Sequence, residues 1–141
     1  MMYRETNRSE YLEQARGVAS FIMNHPNMPV DKVPYWDFNA PDIPNTVRDA
    51  SAAAIIASAL IELSQLDNSI EAPKYLEYAK EQIRSLTSST YLAKPGTNGG
   101  FILRHSTGNY NKNSEVDVPL TYADYYYVEA LLRLKKLQNE N

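Results

Sequence analysis

Carboxylate side chains are the residues of this sequence best suited to proton chemistry, because two carboxylates at a set separation can act as general acid and general base. Five aspartates lie in or beside two long, turn-rich stretches: Asp37, Asp42, Asp49, Asp117 and Asp124. Sequence alone does not measure the separation of side chains. For Asp49, at a predicted helix start beside Arg48, a cap and an ion pair are favoured. For Asp124, we expect tyrosine hydroxyls or a neighbouring loop to hold the carboxylate. Structural roles outweigh catalytic ones at all five positions, so no catalytic residue is assigned.

Metal and cofactor chemistry find little support in this composition. The chain has no cysteine and only two histidines, His25 and His105, so we expect no disulfide, no metal site and no cofactor. The net charge is −3, and Lys and Arg are not concentrated anywhere along the chain. These features argue against a nucleic-acid partner.

The length of 141 residues is enough for one domain with a hydrophobic core, and we expect a single α-helical domain over residues 1–141. The chain start has no apolar run of the kind found in signal peptides. The most apolar stretch, Ala50 to Leu63, is interrupted by polar residues and is too short to span a bilayer. We therefore expect a soluble, cytoplasmic protein that has no membrane partner.

Hydrophobic periodicity predicts an all-α chain with helices near residues 7–24, 46–66, 72–88 and 120–138, and no sheet beyond short ladders in the loops. The first and third helices have charged outer faces. In the first helix, the predicted buried stripe includes Val18. The second helix is apolar or small on every side, which is typical of a buried helix. The order outer, inner, outer, inner describes two αα-hairpins.

Two long loops, 26–45 and 89–119, each lead from an outer helix to an inner helix. The alternation of helices places both loops at the same end of the bundle, over the N-termini of the inner helices. Helix dipoles at that end favour an anion, such as a ligand that bears a carboxylate. Loops of this length usually carry function. A lid or cover without a ligand is an equal alternative.

The apolar second helix also predicts partners. One outer helix cannot cover it, so other hairpins of a longer chain or other subunits are expected to complete its burial. For the chain alone we expect a homo-oligomer, either a two-fold dimer or a closed ring. The change Ala54→Glu in the middle of this helix is expected to disrupt assembly and fold together.

Three sequence blocks in and around the loops carry a family resemblance. The first joins Pro-Tyr-Trp-Asp-Phe at 34–38 to Val-Arg-Asp-Ala-Ser-Ala-Ala-Ala at 47–54. The second is Gly-Gly-Phe followed by Arg-His-Ser-Thr-Gly, within 99–108. The third is Glu-Val-Asp-Val-Pro-Leu-Thr-Tyr-Ala-Asp-Tyr-Tyr at 115–126. In this order, over most of the chain, they resemble glycoside hydrolase family 88, the unsaturated glucuronyl hydrolases. Val47 departs from the pattern, because the family usually has proline there.

The resemblance implies an (α/α)6 barrel of six hairpins, of which the two hairpins here would form the closing, C-terminal third. It also implies removal of 4,5-unsaturated glucuronic acid from lyase-generated glycosaminoglycan or polysaccharide fragments, by protonation of a vinyl ether and addition of water. The family's catalytic aspartates lie in motifs resembling His-Asp-Leu-Gly-Phe and Asp-x-Met-Met-Asn, and this sequence contains neither. We therefore expect the chain alone to be inactive. The alternative is a non-catalytic helical module that binds carbohydrate or associates with itself.

The resemblance also implies candidate residues for contact with an unsaturated uronate-containing oligosaccharide. In the family, the loop after Arg-His-Ser reaches the second sugar. The candidates are Trp36, Arg104, His105, Ser106, Asn109 and Lys112. Trp36 would stack on a sugar or pack against the barrel rim. Arg104 would pair with a ligand carboxylate or with Glu115. For the last three candidates, a solvated turn is the equal alternative.

Overall fold

The structure is a computed structural model that describes residues 1–139. Its α-helices are α1 (Met2–Thr6), α2 (Ser9–Met23), α3 (Ala50–Leu66), α4 (Ala72–Leu86) and α5 (Thr121–Asn139). Two 3-10 segments, Asn98–Gly100 and Tyr110–Lys112, lie in the second long loop. Within the described residues, β pairing is limited to isolated bridges. The all-α prediction is therefore confirmed, and α1 is a short helix that the sequence did not predict.

Helix α3 begins four residues later than its predicted start at 46. Asp49 is the N-cap residue and has an extended backbone, and its side chain accepts the backbone N–H of Ser51 at 3.0 Å. Just before it, Arg48 forms an isolated antiparallel bridge with Tyr35. The prediction was wrong there because pairing between the two ends of the first loop holds the chain extended up to the cap.

Helix α3 is the centre of the bundle and packs against both α4 and α5. One core cluster joins α3 and α4 around Ile61 and Ile83, and α2 contributes Leu12 and Ala19 to it. A second cluster lies towards the long loops and joins α3 to α5 through Ala54 and Tyr127. Small residues along α3 permit this close approach on two sides. The predicted stripe of the first helix was wrong at Val18, which is 47% exposed, because α2 is rotated so that Leu12 faces the core.

The exposed apolar surface lies mostly on α5 rather than on α3. Helix α3 keeps a narrow strip open to solvent at Ile55 and Ala59. On α5, Tyr125, Val128 and Leu132 are exposed at spacings of three and four residues, which places them on one face. Other hairpins or subunits were expected to complete the burial of α3, and within residues 1–139 α4 and α5 together bury most of it.

An ion pair fastens the outer helix α2 to the end of α3. The guanidinium of Arg16 donates to both carboxylate oxygens of the buried Asp67, at 3.1 and 2.6 Å. Asp67 also accepts the backbone N–H of Ser69 at 2.8 Å. The Arg16 hydrogen bond, with help from Ser69, lowers the pKa of Asp67 from 3.8 to about 2 in spite of burial.

No helix within residues 1–139 is long and apolar enough to cross a membrane.

Candidate functional site

The two long loops meet over the N-terminus of α3, as the alternation of helices predicts. The backbone N–H of Ala50, the first residue of α3, donates to the carbonyl of His105 at 2.9 Å. The Asp49 carboxylate accepts the backbone N–H of Thr107 at 3.2 Å, and the Thr107 hydroxyl donates to the Arg48 carbonyl at 3.0 Å. The loop end is therefore a hydrogen-bonded layer in which the second loop satisfies the Ala50 N–H of α3 and itself donates to Arg48 and Asp49.

Residues 106–118 form a protruding hairpin, here called the finger. Its base is closed by reciprocal backbone hydrogen bonds between Ser106 and Val118, at 3.0 and 2.9 Å. Further out, Asn109 and Ser114 form a second bridge. The tip is the 3-10 turn Tyr110–Lys112, and the residues from 108 to 115 are exposed. The base is well anchored and the tip is presented to solvent.

His105 and Asp117 face each other across the base of the finger. Nδ1 of His105 lies 2.7 Å from Oδ1 of Asp117, and both side chains are partly open to solvent. Both residues have left-handed backbone conformations, with φ of 63° and 53°. Such conformations are costly for residues with a Cβ, and they cluster at functional sites. This pair holds one imidazole nitrogen of His105 at a defined position.

Asp124, in the first turn of α5, clamps the second loop. Its carboxylate accepts the backbone N–H groups of Ile102 and Leu103, both at 2.8 Å. The expectation of a structural role is confirmed, and a neighbouring loop rather than a tyrosine hydroxyl provides the partners.

Trp36 belongs to the first loop and stacks against Tyr110 at the tip of the finger. The ring centroids are 4.1 Å apart and the planes differ by 13°. The indole N–H of Trp36 donates to the Thr46 hydroxyl at 3.1 Å. Tyr110 was not among the sequence candidates. The signal that could have found it is an aromatic residue among asparagines within the second long loop.

An open cleft of about 490 Å³ lies beside the first loop, with Arg48 and Asp31 among its lining residues. Arg48 donates to Asp31 at 3.0 Å and lies over the ring of Tyr35, 4.7 Å from the ring centroid. Asp31 also accepts the hydroxyl of Tyr91 at 2.9 Å. Burial, together with the charge of Asp31, raises the pKa of Tyr91. The expected ion pair of Arg48 with Asp49 is wrong: Arg48 pairs with Asp31, because Asp49 turns towards α3.

Glu115, Tyr122 and Gly108 crowd together where the finger passes the start of α5. A Cβ at position 108 would clash with a carboxylate oxygen of Glu115 and would lie 2.7 Å from the Tyr122 hydroxyl. Burial, with the charges of Glu115 and Asp49, raises the pKa of Tyr122. Glycine at 108 therefore permits the close approach of these two polar groups.

The structure separates the six sequence candidates into different environments. Trp36, His105, Asn109 and Lys112 reach the surface at the loop end. Ser106 is fully buried at the base of the finger, and its hydroxyl has no hydrogen-bond partner among the described residues. Arg104 donates to the backbone carbonyl of Ser89 and does not pair with Glu115.

Within residues 1–139, the loop-end aspartates are engaged separately rather than as a facing pair. Asp49 caps α3, Asp117 contacts His105, and Asp124 clamps the second loop. Asp37 accepts the backbone N–H of Asn39 at 2.7 Å in a local turn. The same part of the chain holds no group of three or more His, Cys, Asp or Glu side chains arranged to bind a metal ion.

Sequence and structure comparisons give a consistent set of relatives. No family model matches the chain. An unsaturated glucuronyl hydrolase from Formosa agariphila is 51% identical over 97% of this chain and 34% of that protein. A crystal structure of an unsaturated glucuronyl hydrolase specific for heparin superposes with a TM-score of 0.94, at 49% identity, over 97% of this chain and 36% of that one. A mutant enzyme of this name from Streptococcus agalactiae, complexed with dGlcA-GalNAc6S, has a TM-score of 0.85 and 27% identity over 94% of this chain and 35% of that one.

These findings define the class of the protein as an all-α assembly of αα-hairpins with the fold of about one third of an (α/α)6 barrel. Over nearly its whole length, the chain is a homologue of the unsaturated glucuronyl hydrolases. It spans about a third of the length of the curated relatives that it matches.

Proposed function

We propose that this chain supplies substrate-contacting loops of a glucuronyl-hydrolase barrel and carries none of the proton-transfer groups. The observation that supports this most strongly is the use of the loop-end aspartates: each of Asp49, Asp117 and Asp124 already has a structural partner. The substrate class is an unsaturated glucuronyl oligosaccharide, as in the complex of the Streptococcus agalactiae relative with dGlcA-GalNAc6S. The residues proposed to contact the substrate are Trp36, His105, Asn109 and Lys112. Arg104 and Ser106 lie deeper in the second loop and help to hold it in place.

An absorbance assay tests the catalytic half of this proposal. Hydrolysis by protonation of the vinyl ether destroys the 4,5 double bond, so ultraviolet absorbance of an unsaturated chondroitin disaccharide would fall. We expect no fall with the purified chain, because the carboxylates of Asp49, Asp117 and Asp124 each already hold a structural partner. Turnover that follows the chain through a sizing column, and that is missing from a mock purification, would contradict the proposal.

A binding titration tests the other half. The chain, labelled for nuclear magnetic resonance, is titrated with dGlcA-GalNAc6S. We expect saturable shifts at the loop end, including His105 and Lys112, and none at the far end around Arg16. Shifts spread evenly over the surface would count against a site in the loops.

A second candidate, self-association, has its own observation. Tyr125, Val128 and Leu132 form an exposed apolar face on α5, and Ile55 on α3 is also open to solvent. At about 25 cal/mol per Å², covering several hundred Å² of such surface would stabilise the chain by several kcal/mol. We propose that copies of the chain associate through this face as a homo-oligomer.

Light scattering at micromolar concentration measures the association. Leu132→Lys places a charge in the exposed face and is expected to shift the chain to a monomer. Val30→Lys is the matched control, because Val30 is almost fully exposed on the first loop, away from α5. A wild-type chain that is a cooperatively folding monomer would refute this proposal.

A further inference from the structure

The aromatic pair Trp36–Tyr110 joins the first long loop to the tip of the finger. The rings are nearly parallel, with 4.1 Å between centroids. The two residues are far apart in sequence and come from different loops, so only the fold brings them together. The stack therefore creates an aromatic surface that neither loop possesses alone.

Trp36 is the fixed member of the pair. Its backbone N–H donates to the Val47 carbonyl at 3.2 Å, and its indole N–H donates to Thr46 at 3.1 Å. These two bonds set the position and the plane of the indole. A ring that packs against it adopts the same plane at little cost in entropy.

Tyr110 is the residue of the pair that is exposed to solvent. One face of its ring covers Trp36, yet the residue remains 38% exposed. It stands on the 3-10 turn at the finger tip, flanked by three exposed amide side chains: Asn109, Asn111 and Asn113. An oriented aromatic face surrounded by amide donors and acceptors matches the chemistry of a sugar ring, which has apolar C–H faces and a rim of hydroxyl groups.

We propose that Tyr110, backed by Trp36, is a stacking platform for a pyranose ring of the bound oligosaccharide. The platform rests on the proposed function, because it places one sugar of the same ligand at the finger tip. Trp36 acts as a positioning residue that holds the plane of Tyr110. The amides beside Tyr110 bind hydroxyl groups at the rim of the sugar.

The chain contains a single tryptophan, so Trp36 reports on the platform directly. Titration of the wild-type chain with dGlcA-GalNAc6S is expected to change Trp36 emission in a saturable way. Calorimetry gives the affinity independently of fluorescence. Tyr110→Leu is expected to weaken that affinity about tenfold, which is the scale of one lost aromatic contact. Tyr110→Phe keeps the ring and is expected to bind like wild type.

Tyr11→Ala is the matched control, because Tyr11 is a half-buried tyrosine of α2 outside the loops. It is expected to leave the affinity unchanged. Circular dichroism and thermal unfolding show whether the variants keep the helices, and the exposed site of Tyr110 favours retention of the fold. If the stack only holds the two loops together and does not bind sugar, Tyr110→Leu should increase protease cleavage within the finger without changing the affinity.

The outcomes separate this inference from the proposed function. If the wild-type chain does not bind the disaccharide, both are overturned. If it binds and Tyr110→Leu binds equally well, the platform is overturned and the proposed function stands. Loss of affinity in Tyr110→Phe equal to that in Tyr110→Leu would also overturn the platform, since the hydroxyl rather than the ring would carry the contact.

Discussion

The carboxylate of Asp124 accepts the backbone N–H of Leu103 at 2.8 Å, which ties the second long loop to the first turn of α5. Leu103 is fully buried in the core cluster that also contains Ala54 and Val33. The second loop is therefore anchored in the core at Leu103, while its finger tip contacts the first loop through the stack of Tyr110 on Trp36.

Replacement of Asp124 by alanine is expected to lower the free energy of unfolding by about 2–3 kcal/mol, because two backbone N–H groups lose a charged acceptor. Urea unfolding measures the loss, and amide hydrogen exchange should show faster exchange at Ile102 and Leu103. Asp42→Ala is the control. The Asp42 side chain is exposed in the first loop, so its removal should change stability by less than about 0.5 kcal/mol.

The Arg16–Asp67 pair predicts a dependence of stability on pH. The folded-state pKa of Asp67 is about 2, below the ordinary value of 3.8, so the ionised form stabilises the fold. That contribution is complete above the ordinary pKa and is lost as the pH falls towards 2. The difference in unfolding free energy between wild type and Asp67→Asn should be about 1–2 kcal/mol at neutral pH and should shrink below pH 4. Glu77→Gln, which removes an exposed helix ion pair with Lys80, should show little difference at any pH.

Two alanines of α3 provide a matched test of burial. Ala54 is fully buried between helices, so Ala54→Glu should unfold the chain through an unpaired buried charge. Ala59 is exposed on the same helix, and Ala59→Glu should preserve the helical circular dichroism signal. Equal loss of structure in both variants would show that the open strip of α3 is also covered, for example by another copy of the chain.

Removal of the Tyr91 hydroxyl is expected to lower the free energy of unfolding by a smaller amount. Tyr91→Phe removes its hydrogen bond to Asp31 and is expected to cost about 1 kcal/mol, while the ion pair between Arg48 and Asp31 remains. Thermal unfolding measures the change. Tyr125→Phe, at an exposed site on α5, is the control that should leave the midpoint unchanged. A change below about 0.3 kcal/mol for Tyr91→Phe would mean that water replaces the lost donor.

Local patterns were sufficient for the existence of the four long helices and for the family resemblance. The stripe Tyr75, Ala79, Ile83 and Leu86 of α4 is buried as its spacing predicts, because positions three and four residues apart share a face in any α-helix. The apolar character of α3 likewise predicted its central place. The motif blocks in the loops predicted the relationship to unsaturated glucuronyl hydrolases, which the comparisons support.

Contacts between distant segments were decided only by the tertiary structure. The stack of Trp36 on Tyr110, the pairing of Arg48 with Asp31 and the full burial of Ser106 each join residues or surfaces that no local spacing relates. Contacts between distant segments also decide where a helix starts: α3 begins at Ala50 because Arg48 pairs with Tyr35. Periodicity describes which side of an element is apolar, whereas the path of a long loop is set by the donors and acceptors that it meets after the helices have packed.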